Sequence, residues 1–590
     1  MTDPTNVATP PITFPSEDSV GTVLRVDTGS VWVVVSDDTA LNRASVGTLV
    51  AIQSASPSIY LVGMMDRVTR SWGEEDVYDP DVESASPVTV DAERNLLRIV
   101  LLGTYSQIGG TSGLFKRGAD SYPHLDAQAW VIEGGALQQL MGLLSAGLEP
   151  EQQLRLGRFV NDSESVAVAD GDRWFQRHAA ILGSTGSGKS WAVALMLERA
   201  SALAHPNLIV LDMHGEYGPL CEPTESGTAL AQGFHIAGPT ETTAEQASAI
   251  YLPWWLLTQE ELFSLVLDRS EDNAPNQAAR FSHHVRELKE AELTSAGHPE
   301  IADRFTIDSP IYCDMTVLLE RLSDEDSEMV AGAAGREKQG PFYGKLTRFI
   351  SRLESKSADR RYSFMFAPEP ATKAYGWVAE MATTLLGSTP GIKVIDFSQV
   401  PSDVLPIVVG VFARLLYQVQ FWMDEADRTP LTLVCDEAHL YLPADDTRVA
   451  EQRALDAFER IAKEGRKYGV SLVIVSQRPS DISRTVLSQC NNFMVLRLTN
   501  DQDRSVVQRF VPDSLAGLTA ALPLLDIGEA LVLGDALVLP ARLKLDAPQV
   551  KPRSATRNFW TEWSTRSPNP NAIAAAVEHM RQQGRQGVNE

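Results

Sequence analysis

Ile181-Leu-Gly-Ser-Thr-Gly-Ser-Gly-Lys-Ser190 decides the fold class of this chain. It carries the pattern G-x-x-x-x-G-K-S, running from Gly183 through Ser184, Thr185, Gly186, Ser187 and Gly188 to Lys189 and Ser190. Such a pattern acquires meaning from its flanks. The apolar run Ala179 to Leu182 reads as a strand entering it, and Trp191 to Ala200 (WAVALMLERA) reads as a helix leaving it, with apolar residues at helical spacing. Strand, glycine-rich turn and helix together predict a phosphate loop. The glycines let successive N–H groups turn inward as a nest for phosphate oxygens, and the helix N-terminus adds partial positive charge at the same point. Gly183 to Trp191 is therefore the expected binding segment for ATP, with Lys189 reaching the β- and γ-phosphates and the Ser190 hydroxyl holding Mg²⁺.

Working outward, apolar strand runs alternate with helical stretches from Ala179 onward, which predicts an α/β core with a mostly parallel sheet. The strand candidates are Ala179–Leu182, Asn207–Leu211, Ile392–Phe397, Leu431–Cys435, Ser471–Ser476 and Phe493–Leu498. In Leu431-Thr-Leu-Val-Cys-Asp-Glu-Ala-His439 two carboxylates follow a strand at its carboxyl end, where parallel sheets bind ligands. Asp436 is expected to organise the Mg²⁺ shell with Ser190, and Glu437 to orient and deprotonate the attacking water. An Asp-Glu pair after a strand also serves as a helix N-cap, but the chain order relative to the phosphate loop favours chemistry. Gln477, at the tip of the next strand (VSLVIVSQRP), can touch both the γ-phosphate and that water, or close a turn before Pro479. Phosphoryl transfer also needs positive charge on the γ-phosphate. Arg466 in Glu464-Gly-Arg-Lys-Tyr-Gly469 is the first candidate for an arginine finger, Arg460 the second and Arg177 the third. Asp212 and Glu216, in Asp-Met-His-Gly-Glu-Tyr217, either tune the Mg²⁺ shell or brace Lys189 and the loop. His439 is read as shaping the strand end, and the adjacent His283-His284 as core or surface histidines, since a two-histidine metal site on one helix face wants i, i+4 spacing.

The rest of the chain sets limits. Its 590 residues allow more than one domain. Residues 1–15 are Pro/Thr-rich and expected to be disordered. From 16 to about 165, short β-type runs punctuated by Gly, Asp and Ser predict a small barrel, with an acidic break at Trp72–Ser86 and a helix near Leu137–Ala146. Residues 166–548 form the expected ATPase core, with a helical insertion over about 258–361 that shows no strand signals. Residues 549–590 are a linker and a last helix. Four scattered cysteines, no signal-peptide plan and no apolar run of about 18–20 residues lead us to expect a cytoplasmic protein with no membrane segment. The formal net charge of −26 argues against a nucleic acid bound on the outer surface. A local basic channel remains compatible, because screening confines fields to about 10 Å. The most basic window holds Arg336, Lys338, Lys345, Arg348, Arg352, Lys356, Arg360 and Arg361.

With these residues in view, the chain resembles the HerA family of DNA translocases, relatives of the FtsK group. The resemblance rests on His178-Ala-Ala-Ile-Leu leading into the phosphate loop, DMHGEY, RLES and DRRYSFMF from Arg352 onward, DEAH, EGRKYG, VSQRP and the late run Leu522–Gly534, over about residues 16–548. It implies a RecA-like core behind an N-terminal barrel of the ring ATP synthase type, ATP bound between the subunits of a homohexamer, and double-stranded DNA threaded through the pore. It also implies an effector, a nuclease or an NAD-consuming enzyme, docked on the barrel face, in DNA end processing or antiphage defence. Two other readings stay open: an ATP-ordered scaffold that activates an effector with little translocation, and a conjugation- or secretion-type ATPase.

Overall fold

Alternating apolar and polar positions in Gly21–Val26, and the β-branched run Ser30–Val35, begin a barrel in the computed structural model of this chain. The structure describes residues 11–35, 38–71, 94–108, 112–119, 121–225, 227–239, 246–331, 336–387, 391–444, 449–511, 515–554 and 557–582. The first ten residues and the acidic break Trp72–Ser86 lie outside them. The barrel strands are β1 (Gly21–Val26), β2 (Ser30–Val35), β3 (Leu49–Gln53), β4 (Ile59–Ser71), β5 (Arg94–Ile108), β6 (Ser112–Arg117) and β7 (Gln128–Val131). Their order is β2-β1-β7-β3-β4-β5-β6, and β2 also pairs with β5, which closes six strands into a ring. The 15-residue β5 manages both duties by length, giving Leu96–Val100 to β2 and Gly103–Ile108 to β6. Val23, Val31, Val33, Val50, Ile52, Leu61, Leu97, Ile99 and Val131 fill the interior. Residues 11–15 correct the expectation of disorder. Ile12 is buried, its amide donates to the Tyr105 hydroxyl at 2.8 Å, and the Trp130 indole donates to the Pro15 carbonyl at 2.7 Å.

The chain divides into two compact units. The first comprises residues 1–203, 476–480 and 490–549; the second comprises 204–475, 481–489 and 550–590. Besides the barrel, the first unit holds β8 (Gln153–Phe159), β9 (Asp162–Asp170), β10 (Ala179–Leu182), β19 (Asn492–Val495), β20 (Glu529–Gly534) and β21 (Ala541–Leu545), in the order β10-β19-β20-β21-β8-β9. Only β10 and β19 run parallel there. The expected barrel boundary at 165/166 falls inside β9, and β8 pairs with β21 instead of with a barrel strand. The antiparallel pairs carry a weaker sequence signal because each is short and one-sided.

In the second unit β11 (Leu208–Asp212), β12 (Gln232–Ile236), β13 (Ala249–Ile250), β16 (Ile392–Asp396), β17 (Leu431–Cys435) and β18 (Val470–Ser476) line up as β13-β12-β16-β11-β17-β18, all parallel. β11, β17 and β18 are buried along their whole length, as expected of strands covered on both faces. The insertion is mainly helical, with a capping box at Thr258 and Glu261 and an aromatic core of Phe263, Phe281 and Phe349. It also contains a hairpin that its sequence did not announce, β14 (Met329–Ala331) with β15 (Glu337–Gln339). Both strands are largely exposed, so no buried face imprints a period on the residues. A second correction concerns the helix Leu405–Trp422, which by length and composition is long and apolar enough to cross a membrane. It is 67% buried within the protein, and Arg414 on it forms an ion pair with Glu261. Gly410 lets it lie tight against Val449–Glu464, since a Cβ there would meet the Ala454 Cα at 2.6 Å.

Candidate nucleotide site

The end of β10 and the start of the helix Lys189–Ser201 shape the phosphate loop. Its base is pinned by the Gly183 amide on the Ser476 carbonyl (3.2 Å) and the Ser184 amide on the Arg497 carbonyl (2.8 Å). Its far side is pinned by the Gly528 amide on the Ser187 carbonyl (3.1 Å). Gly186 and Gly188 take φ of 73° and 108°, the left-handed region that side chains avoid. Gly188 is also crowded, because a Cβ would meet the Gly528 nitrogen at 3.3 Å. Lys189 is buried and its Nζ reaches the Ser184 carbonyl at 3.4 Å, folded back over the loop it closes. The Thr185 hydroxyl donates to the Gln477 side-chain oxygen at 2.5 Å, so the glutamine at the tip of β18 and the phosphate loop are joined directly.

In the second unit the carboxyl ends of β11 and β17 gather acidic groups. Asp212 is fully buried. Its Oδ1 accepts from the amides of His214 (3.2 Å) and Glu216 (3.1 Å), and its Oδ2 from that of Tyr217 (2.9 Å). Asp212 therefore braces its own turn, the one that carries Glu216. Burial raises its pKa despite those bonds. Asp436 is held well above the usual carboxylate range, first by burial and then by the charges of Glu437, Asp212 and Glu216. Glu437 adopts φ 42° and ψ 46°, a strained backbone for a side-chain-bearing residue, and pairs with His439 Nδ1 at 3.2 Å. The Tyr217 hydroxyl is buried beside these carboxylates with no hydrogen-bond partner among the described residues. Asp436, a buried carboxylate under the influence of the neighbouring charges of Glu437, Asp212 and Glu216, offers the kind of oxygen donor that Mg²⁺ prefers.

The arginine candidates separate. Arg177, before β10, forms an ion pair with Asp535. Arg460 lies over the rings of Tyr417 (5.3 Å) and Phe421 (5.7 Å) and 3.6 Å from Glu464. Arg466 is exposed in the short turn Gly465–Tyr468. In the basic window, Arg348 and Arg352 face Glu271, Lys356 faces Asp403 and Arg361 faces Asp359, with Arg348 and Arg361 still exposed, and Arg336, Lys338, Lys345 and Arg360 are exposed as well. His283 and His284 converge on Glu287 at 3.3 and 3.7 Å, closer company than adjacent positions on a helix led us to expect. That carboxylate already takes Arg321 at 3.0 Å. Sequence reasoning missed the Tyr217 hydroxyl and the flank at Arg497; Gly528 lies in the late run Leu522–Gly534 that carries the resemblance, but no role there was read for it.

The family described as "Helicase HerA, central domain" matches residues 154–416, and "Helicase HerA-like C-terminal" matches 407–541. A relative from Methanocaldococcus jannaschii, "Probable DNA double-strand break repair helicase HerA", is 38% identical over 67% of this chain and 76% of its own length. This chain belongs to the HerA family. It is a P-loop ATPase of the FtsK-HerA group. The "DNA double-strand break repair helicase HerA" of Sulfolobus acidocaldarius is 26% identical over 72% of this HerA-family chain and 74% of its own length. Among solved structures, the chain is similar to the "Bacterial conjugative coupling protein TrwBdeltaN70" (14% identity, TM-score 0.43, 72% of this chain and 94% of that one). It is also similar to VirB4 of Thermoanaerobacter pseudethanolicus (17% identity, TM-score 0.44, 68% and 98%).

Proposed function

We propose that this chain is an ATP-driven DNA translocase or helicase that works as a homohexamer, threads duplex DNA, and drives a partner effector docked on its barrel face. The observation that carries the reading is the Thr185–Gln477 bond, because it links the phosphate loop to the residue suited to sense the γ-phosphate. The relatives named as DNA repair helicases support the substrate class. The exposed apolar residues Ile108, Leu114 and Leu125 on and beside the barrel support its role as a docking face. The effector is a nuclease or an NAD-consuming enzyme, and the setting is DNA end processing or antiphage defence.

In this reading the amides of Gly183 to Gly188 and the Lys189 ammonium bind the β- and γ-phosphates. Ser190 and Asp436 would hold Mg²⁺, which would supply charge neutralisation on the phosphate oxygens. Glu437 takes a proton from the attacking water, and Gln477 orients that water against the γ-phosphate. Arg466 is the finger offered to a neighbouring subunit, as its exposure suits, and Glu216 stands on the turn that Asp212 fixes, where it would tune the ion's surroundings. Arg336, Lys338, Arg348 and Arg360 are exposed cations offered to DNA. Turnover measured with and without duplex DNA tests the proposal: stimulation that falls in Arg336→Ala/Lys338→Ala is expected, and ATP hydrolysis indifferent to DNA refutes it.

A further inference from the structure

A phosphate loop grips a triphosphate, and none of the roles above accounts for the other half of the nucleotide. The loop Leu522–Gly528 runs alongside. The Gly528 amide binds the Ser187 carbonyl at 3.1 Å, and the Leu498 amide binds the Leu522 carbonyl at 3.3 Å. The loop is also fixed from behind. The Lys544 ammonium donates to the Ile527 carbonyl at 2.7 Å, the Leu545 amide donates to the Gly528 carbonyl at 2.9 Å, and the Ile527 amide donates to Asp526 Oδ1 at 2.7 Å. Yet this anchored loop turns two aliphatic side chains to water: Leu524 is 81% and Ile527 58% exposed. Trp191, one helical turn beyond Gly188, is 37% exposed.

Two aliphatic side chains carried to water on an anchored backbone, beside a ligand site, offer apolar surface to that ligand, and the anchoring lowers the backbone's share of the ordering cost of binding there. The flat apolar face of a purine is a suitable occupant. We propose that Leu522–Gly528 is a nucleobase shelf, on which Leu524 and Ile527 pack against the purine of the nucleotide whose phosphates residues 183–190 hold. The shelf rests on the nucleotide-binding reading above. It supplies affinity by burial, so it grips a nucleoside phosphate and is indifferent to phosphate alone.

The test compares ADP with inorganic tripolyphosphate, which has no base, by titration calorimetry on the full chain. Leu524→Ala/Ile527→Ala is expected to weaken ADP about tenfold while leaving tripolyphosphate binding and particle size unchanged. Leu524→Phe, which widens the shelf, is expected to hold or tighten ADP. Unchanged ADP affinity in the double variant, or equal loss of both ligands, overturns the shelf. So does a changed particle size with ADP affinity intact, which would assign the two side chains to a subunit contact. Failure of the unmodified protein to bind either ligand would instead sink the nucleotide-binding reading beneath it.

Discussion

Glu437 shows how much one residue carries. Its left-handed backbone is uncomfortable for a glutamate, and strain of that kind persists where surrounding structure demands a particular aim. Glu437→Gln is expected to keep nucleotide affinity within a few-fold while turnover falls by at least about a hundredfold, read by pairing ATP titrations with product release. Glu437→Gly relaxes the backbone and should raise the melting temperature of the nucleotide-free protein although it is inactive. Gln477→Ala breaks the bond to Thr185, and we expect kcat to drop about tenfold or more with affinity retained. Arg177→Ala should lower thermal stability and spare turnover, because its partner Asp535 lies within its own unit. These separate effects follow from local geometry. That Lys189 opens a helix after β10, and that Asp436 and Glu437 follow β17, was legible in the sequence because fixed spacing and a preceding apolar strand announce it. Tyr217 was not, since nothing in DMHGEY tells which side chain turns inward.

At the scale of elements, legibility followed burial. Leu431–Cys435 and Ala179–Leu182 were read with their observed limits, because a parallel strand buried on both faces writes an uninterrupted apolar run. The exposed hairpin β14–β15 and the two-residue β13 have no such run and went unread. A buried cation sits inside the insertion. Lys289, on the helix Ala274–Ser295, donates to the carbonyls of Ile307 (2.7 Å) and Ser309 (2.6 Å), and burial lowers its pKa from 10.5 to about 8. A lysine depressed on folding binds its proton less well in the native state than in the unfolded chain. Its favourable contribution is therefore complete above pH 10.5 and lost as pH falls through about 8. Stability of the unmodified protein relative to Lys289→Met should climb between those values. Thermal melts across that range check it, and a flat difference would exclude the linkage.

For the whole molecule, composition misled less than it constrained. A net charge of −26 coexists with a basic window in which neighbouring carboxylates face Arg348, Arg352, Lys356 and Arg361, leaving few cations to meet a polyanion. If the finger acts between subunits, Lys189→Ala and Arg466→Ala chains should each be inactive alone yet regain partial ATPase activity when co-assembled. In mixed rings some interfaces pair an intact loop with an intact arginine. Absence of any recovery argues that Arg466 works within its own chain.

The route of the polypeptide has a consequence for biogenesis. The ribosome makes Ser187 early, but the Gly528 amide that steadies it emerges about 340 residues later, on the order of 20–70 s at ordinary elongation rates. Until then a nascent chain possesses the signature without its cradle. Unfinished translation products should accordingly be unable to burn fuel or to join assemblies as loaded members, a safeguard built into the order of synthesis.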